Sequence, residues 1–170
     1  YNTGVNLVKT GISNSITHTG FNINSSSSIG IRVAEHGTGT TVSNNTFNLG
    51  YKDSNNVIHD VNNSVGVYVA PGKEISGVDG NSSVSYGSYN TGILVSSNST
   101  HNAKATTIQN GYHTINGTYS NGIELDTKED TTIDTVIFRV LGHHSTGLVA
   151  GRYWNQHDPM ANLIVSGSTF

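Results

Sequence analysis

Six copies of a short motif, a glycine followed by aliphatic, variable and small or aliphatic residues, punctuate this chain. They are Gly4-Val5-Asn6-Leu7, Gly30-Ile31-Arg32-Val33, Gly66-Val67-Tyr68-Val69, Gly92-Ile93-Leu94-Val95, Gly122-Ile123-Glu124-Leu125 and Gly147-Leu148-Val149-Ala150. Successive glycines are 26, 36, 26, 30 and 25 residues apart, which is about one coil of a parallel β-helix and too regular for unrelated hairpins. A second motif runs between the copies, an aliphatic residue with an aromatic five positions on and an aliphatic two further: Ile16/Phe21/Ile23, Val42/Phe47/Leu49, Ile133/Phe138/Val140 and a final Val165/Phe170. The two motifs are in register. From Phe21 to Gly30, from His113 to Gly122 and from Phe138 to Gly147 the interval is nine residues each time, so a common turn is expected.

Alternation inside each glycine motif has period two, which sends Val5/Leu7, Ile31/Val33, Val67/Val69, Ile93/Val95, Ile123/Leu125 and Leu148/Ala150 to one inward face. Each coil would pair in parallel with the next at about 4.8 Å, so six coils make a rod about 29 Å long. The glycine before each strand reads as a tight position where a side chain would clash or where φ must be positive. Charged residues are only 11%, and the β-branched residues sit at strand positions. No stretch has a helical period with caps, so little or no helix is expected. The serine run from Ser25 to Ser28 reads as a turn. The chain is therefore expected to be all-β, a single parallel β-helix domain over residues 1–170, each coil stabilised chiefly by its neighbours.

Cysteine is absent, which removes disulfides, thiol nucleophiles and thiolate metal sites. No apolar run is long enough to cross a membrane as a helix. The first glycine motif lies near the N-terminus and Phe170 completes a strand motif at the other end, with no capping element at either. Open sheet edges are avoided in natural proteins, so the sequence reads as an uncapped fragment of a longer protein. Flanking chain or other copies, as in a trimer, are expected to cover the ends and the outward apolar residues Val8, Leu94 and Val149.

On the strength of these two motifs, the coils resemble the right-handed parallel β-helix of the pectin-lyase-like superfamily, which includes phage tailspikes, polysaccharide lyases and hydrolases, and autotransporter-type adhesins. The likeness is one of repeat architecture and covers nearly the whole chain. No catalytic signature of the family accompanies it. It implies recognition of a long polysaccharide or cell surface along the side of the rod, and an extracellular place on a virion or bacterial surface.

The outward residues of the glycine strands form two columns, Asn6, Arg32, Tyr68, Leu94, Glu124, Val149 and, beside it, Val8, Ala34, Ala70, Ser96, Asp126, Gly151. Glu124 and Asp126 are two apart on one strand, with Cα atoms about 6.6 to 6.8 Å apart. That overlaps the carboxyl spacing of inverting glycosidases, about 6.5 to 9.5 Å, where one acid protonates the leaving oxygen and the other activates water. A solvated polar strand end is the simpler reading of the pair, since Asp and Glu on an outward face need no special explanation. The segments after the fourth and sixth glycine strands are longer than the rest. The sixth carries Arg152, Tyr153 and Trp154, groups suited to orienting and stacking a sugar. Trp154 could instead cover the end of the hydrophobic stack. With Tyr68 and Arg32 on the flank, these are the candidate substrate-binding residues.

Between Phe47 and Gly66, 19 residues replace the usual nine, an excursion through Tyr51, Asp53, His59 and Asp60. His113 takes the place that Phe holds in other coils and reads as packing. Asn44 and Asn110 fall at equivalent turn positions, with Gly80 in the coil between. No histidine spacing suggests a metal, and no cofactor is implied. A net charge of −3 with eight scattered Lys and Arg gives no stripe for nucleic acid. Two functions remain: a carbohydrate-recognition rod resembling a tailspike, binding a bacterial surface polysaccharide with cleavage left open, and a non-enzymatic adhesin or structural spacer.

Overall fold

The structure is a computed structural model that describes residues 2–8, 14–34, 37–98, 101–151 and 162–170. Among them every regular element is a strand, and the chain coils through three parallel sheets. The first sheet holds the glycine strands in chain order: Thr3–Leu7, Ile29–Val33, Val65–Val69, Thr91–Ser96, Asn121–Asp126 and Thr146–Ala150. The second holds Ser15–Thr17, Gly37–Ser43, Glu74–Asp79, Thr107–Gln109, Thr131–Asp134 and Leu163–Ser166, with Lys104–Ala105 as a short addition. The third holds Gly20–Ile23, Thr46–Leu49, Ser82–Ser85, Tyr112–Ile115 and Ile137–Val140. The protein is a parallel β-helix.

Register follows the repeat. Val5, Ile31, Val67, Ile93, Ile123 and Leu148 pair one above another on the first sheet, and Ile16, Val42, Val78, Ile108, Ile133 and Val165 on the second. The middle coils bury these columns completely, each such side chain contributing about 1.5–3 kcal/mol. The third sheet aligns Phe21, Phe47, Ser83, His113 and Phe138, and Phe170 stacks on Phe138 with centroids 5.0 Å apart. Ser83 is the residue that the aromatic pattern hid. It too stands nine before a motif glycine, Gly92, and it shares a hydrogen bond of 2.7 Å with His113 Nδ1.

The motif glycines lie inside their strands, not before them, and none has positive φ. Their reason is space. A Cβ on Gly30 would stand 2.7 Å from Phe47 Cδ1 and 2.7 Å from the Gly66 carbonyl oxygen; on Gly122 it would stand 2.7 Å from Phe138 Cδ1 and 2.6 Å from the Gly147 oxygen. The aromatic fills the volume that the glycine leaves: Phe47, 17 residues after Gly30, and Phe138, 16 after Gly122, each come round on the third sheet to lie against the glycine strand of their own coil.

Two of the three corners of each coil repeat. Between the second and third sheets, His18, Asn44, Gly80, Asn110, Thr135 and Gly167 all have left-handed backbone, with φ between 53° and 62°. Asn44, Gly80 and Asn110 are thus equivalent, but the stacked amides belong to the next position. Asn81 Oδ1 accepts from the Asn45 backbone N–H and from its Nδ2, each at 3.0 Å, and Asn45 Oδ1 accepts from the Thr19 N–H. Between the third and first sheets, Ser28, Ser64, Asn90, Ser120 and Ser145 form a second such ladder, in which the backbone N–H of each of the first four donates to the side-chain oxygen of the next coil at 2.9 to 3.2 Å. These side chains satisfy buried turn amides that no sheet bond reaches.

Replacing Gly122 by Ala should destabilise the rod by about 1–3 kcal/mol, because the clash is partly with backbone that cannot swing away. Urea denaturation measures it, and a change below about 0.5 kcal/mol would refute the packing account.

Candidate functional site

The outward column of the first sheet is continuous. Asn6, Arg32, Tyr68, Leu94, Glu124 and Val149 are register partners along five pairings, and all but Asn6 are half-buried. Arg32 Nη1 donates to Asn6 Oδ1 at 3.4 Å, and Asn121 Nδ2 donates to Glu124 Oε2 at 3.0 Å. The strip offers a guanidinium, a phenol, an aliphatic side chain and a carboxylate along one line.

Asp126 ends the Glu124 strand opposite Ser96 but is only 6% exposed. In the second outward column Ala70 is buried as well, while Ala34, Ser96 and Gly151 are half-buried and Val8 is exposed. Beside Asp126 the strand edge is tied down by Ala103, whose N–H donates to Ser97 Oγ at 2.9 Å and whose carbonyl accepts from Thr127 Oγ1. Of the acidic pair, Glu124 is the member that reaches solvent. Arg152, Tyr153 and Trp154 lie outside the described residues. The structure therefore brings Arg32, Tyr68 and Glu124 onto one flank and places Asp126 under it.

The excursion after Phe47 is an antiparallel hairpin, Tyr51–Lys52 with Ile58–His59. Asp53 Oδ1 accepts the N–H groups of Asn55 and Val57, which holds its carboxyl below the usual range, and Tyr51 stacks on His59 at 4.3 Å. Among the described residues no three of His, Asp and Glu converge on a point.

Ser83 and His113 form the one buried Ser–His pair that the described hydrogen bonds contain, and a nucleophilic role for it would need a path for substrate. His113 is 1% exposed and Ser83 3%, so no substrate reaches either. The pair fills two consecutive places of the aromatic column, and the ring of His113 stacks on Phe138. Burial pushes the His113 pKa down to about 4.

One exposed group escaped the sequence reading. At the corner between the third and first sheets, the left-handed position is held by Ser27, Asn63, Tyr89, Tyr119 and His144, each three residues before a motif glycine. Tyr89 is 57% exposed and Tyr119 48%. Their rings are stacked at 5.3 Å, and Tyr119 on His144 at 4.9 Å, with interplanar angles of 7°. Left-handed backbone costs a bulky residue about 1–3 kcal/mol, and ring stacking returns about 0.5–1.5 kcal/mol. The coils with Ser27 and Asn63 turn the same corner without rings. The fold does not require this ladder, and the interval of three to the glycine would have revealed it.

Comparison with protein-family models, with curated proteins and with solved structures gives no match.

Because His113 titrates near 4 when folded and near its ordinary 6.5 when unfolded, the unfolded chain binds the extra proton first. Stability is full above pH 6.5 and should fall as pH drops toward 4, by on the order of 3 kcal/mol. Urea midpoints across that range test this, and H113F should flatten that part of the profile.

Proposed function

We propose that the chain is an extracellular carbohydrate-recognition β-helix that binds a bacterial surface polysaccharide along its flank. The observation that carries this reading is the continuous column from Arg32 through Tyr68 and Leu94 to Glu124, one residue per coil. A linear polymer lying along the rod meets hydrogen-bonding, apolar and charged groups in succession at the coil spacing, which suits a repeating ligand better than a small one. The resemblance of the repeats to tailspikes and to surface adhesins supports the same reading by analogy. Flanking chain or further copies of the chain, as in a trimer, complete the assembly in this proposal. No helix among the described residues is long and apolar enough to cross a membrane.

Binding without cleavage is favoured over hydrolysis by the burial of Asp126, since a general base must reach the water it activates. If the pair does act, Glu124 is the acid and Asp126 the base, and Glu124→Gln should lower turnover at least a hundredfold while binding persists. Under the binding reading, R32A and Y68A should each weaken retention by an immobilised polysaccharide about fivefold or more, with unchanged melting temperature. Retention unaffected by both variants would remove the flank as the site. A wild-type protein that neither binds nor cleaves any surface polysaccharide would favour the adhesin or spacer reading.

A further inference from the structure

From the corner ladder we infer a second binding strip, formed by Tyr89, Tyr119 and His144, that takes a neutral, hydroxyl-rich polysaccharide extended parallel to the rod axis. The inference rests on the polysaccharide reading of the protein but not on the flank column, which lies on the sheet and not at this corner.

Ring orientation decides what the strip can recognise. Coils in a parallel sheet are about 4.8 Å apart, so centroid separations of 5.3 and 4.9 Å with nearly parallel planes place the rings face to face along the axis. Their edges, with the two phenol hydroxyls and the imidazole nitrogens, are therefore turned across the axis and repeat once per coil. A broad apolar partner would want ring faces, and those of Tyr119 are both covered by its neighbours. A ligand that repeats at about the coil spacing and carries hydroxyls along its length matches what is offered. An extended chain of sugar rings has that character.

The surroundings point the same way. An open groove beside the ladder is lined by Ile58, Asp60, Tyr86, Ser88, Asn116 and Thr118, with the backbone of Gly87 and Gly117 as its floor. Ser88 and Thr118 are parallel bridge partners and continue the one-per-coil spacing. Hydroxyl and amide groups predominate, and Asp60 is the single charged side chain among these lining residues, so nothing there selects an acidic polymer. The left-handed backbone at Tyr89 and Tyr119, φ 58° and 52°, belongs to the corner of every coil and turns both side chains out to the surface.

The test uses the double variant Y89F/Y119F, which keeps the stack and removes only the hydroxyls. Affinity electrophoresis is run through gels containing neutral polymers (dextran, mannan, β-1,3-glucan) or acidic ones (alginate, hyaluronan), with melting temperature and mass recorded in parallel. The wild type should be retarded by a neutral polymer, and the double variant should lose at least fivefold in affinity at unchanged melting temperature and mass. Retardation that survives Y89F/Y119F but is lost in Y68A would overturn the corner strip and leave the flank reading standing. Retardation by acidic polymers alone would also overturn the strip. A variant that changes the mass of the protein would assign the ladder to contact between copies and overturn it too. No retardation of the wild type in any gel would remove both sites.

Discussion

The interlock between one glycine and one aromatic ring per coil is the constraint on which the rest of this β-helix depends. A ring from the third sheet reaches across the interior and lies against the first sheet where the strand has no side chain. That contact sets the width of the coil, the carbonyl of the next coil leaves equally little room for a side chain, and the backbone hydrogen bonds of the sheets set the stacking distance at about 4.8 Å. With both distances set, the aliphatic columns of the first two sheets fall into register and their burial follows. Where the aromatic is replaced, the replacement is paired: Ser83 and His113 are hydrogen-bonded to each other, which keeps a polar break in the column from leaving both groups without a partner.

The corners carry the second structural burden. Two of the three turns of a coil leave backbone amides facing neither sheet, and the asparagine and serine ladders accept from them in successive coils. Each ladder residue follows a left-handed one, so the corner is a two-residue device: one residue to reverse the chain, one to satisfy it. The reversing residue points outward and is free of the core. That freedom is what allows serine, asparagine, tyrosine and histidine to occupy the same position, and it makes the corner a place where surface chemistry can change without altering the coil.

The flank and the corner are thus two outward lines on one rod, both paced by the coil spacing. The flank column carries Arg32, Tyr68 and Glu124 on a sheet surface, with a hydrogen bond from Asn121 positioning the carboxylate of Glu124. The corner column carries rings held edge-outward beside a polar groove. Repeating display is what a solenoid offers that a compact domain does not, and both lines suit ligands that are themselves repeats.

Much of this was legible in the sequence, because spacing alone identifies a coil and period-two alternation alone assigns a side chain to a face. The glycine and aromatic motifs announced the parallel β-helix, the inward columns, the outward column from Asn6 to Val149, and the packing role of His113. What spacing does not contain is which chain segment covers a surface and how close two backbones come. The burial of Asp126, the membership of Ser83 in the aromatic column, the displacement of the amide ladder from Asn44 to Asn45, and the true reason for the motif glycines all arise from contacts between residues about 16 to 36 positions apart. The sequence by itself determined the repeat and the direction of each side chain, since both are local properties of an extended strand. Only the tertiary structure decided which outward groups meet water and which rings meet each other, since those depend on the separation of neighbouring coils.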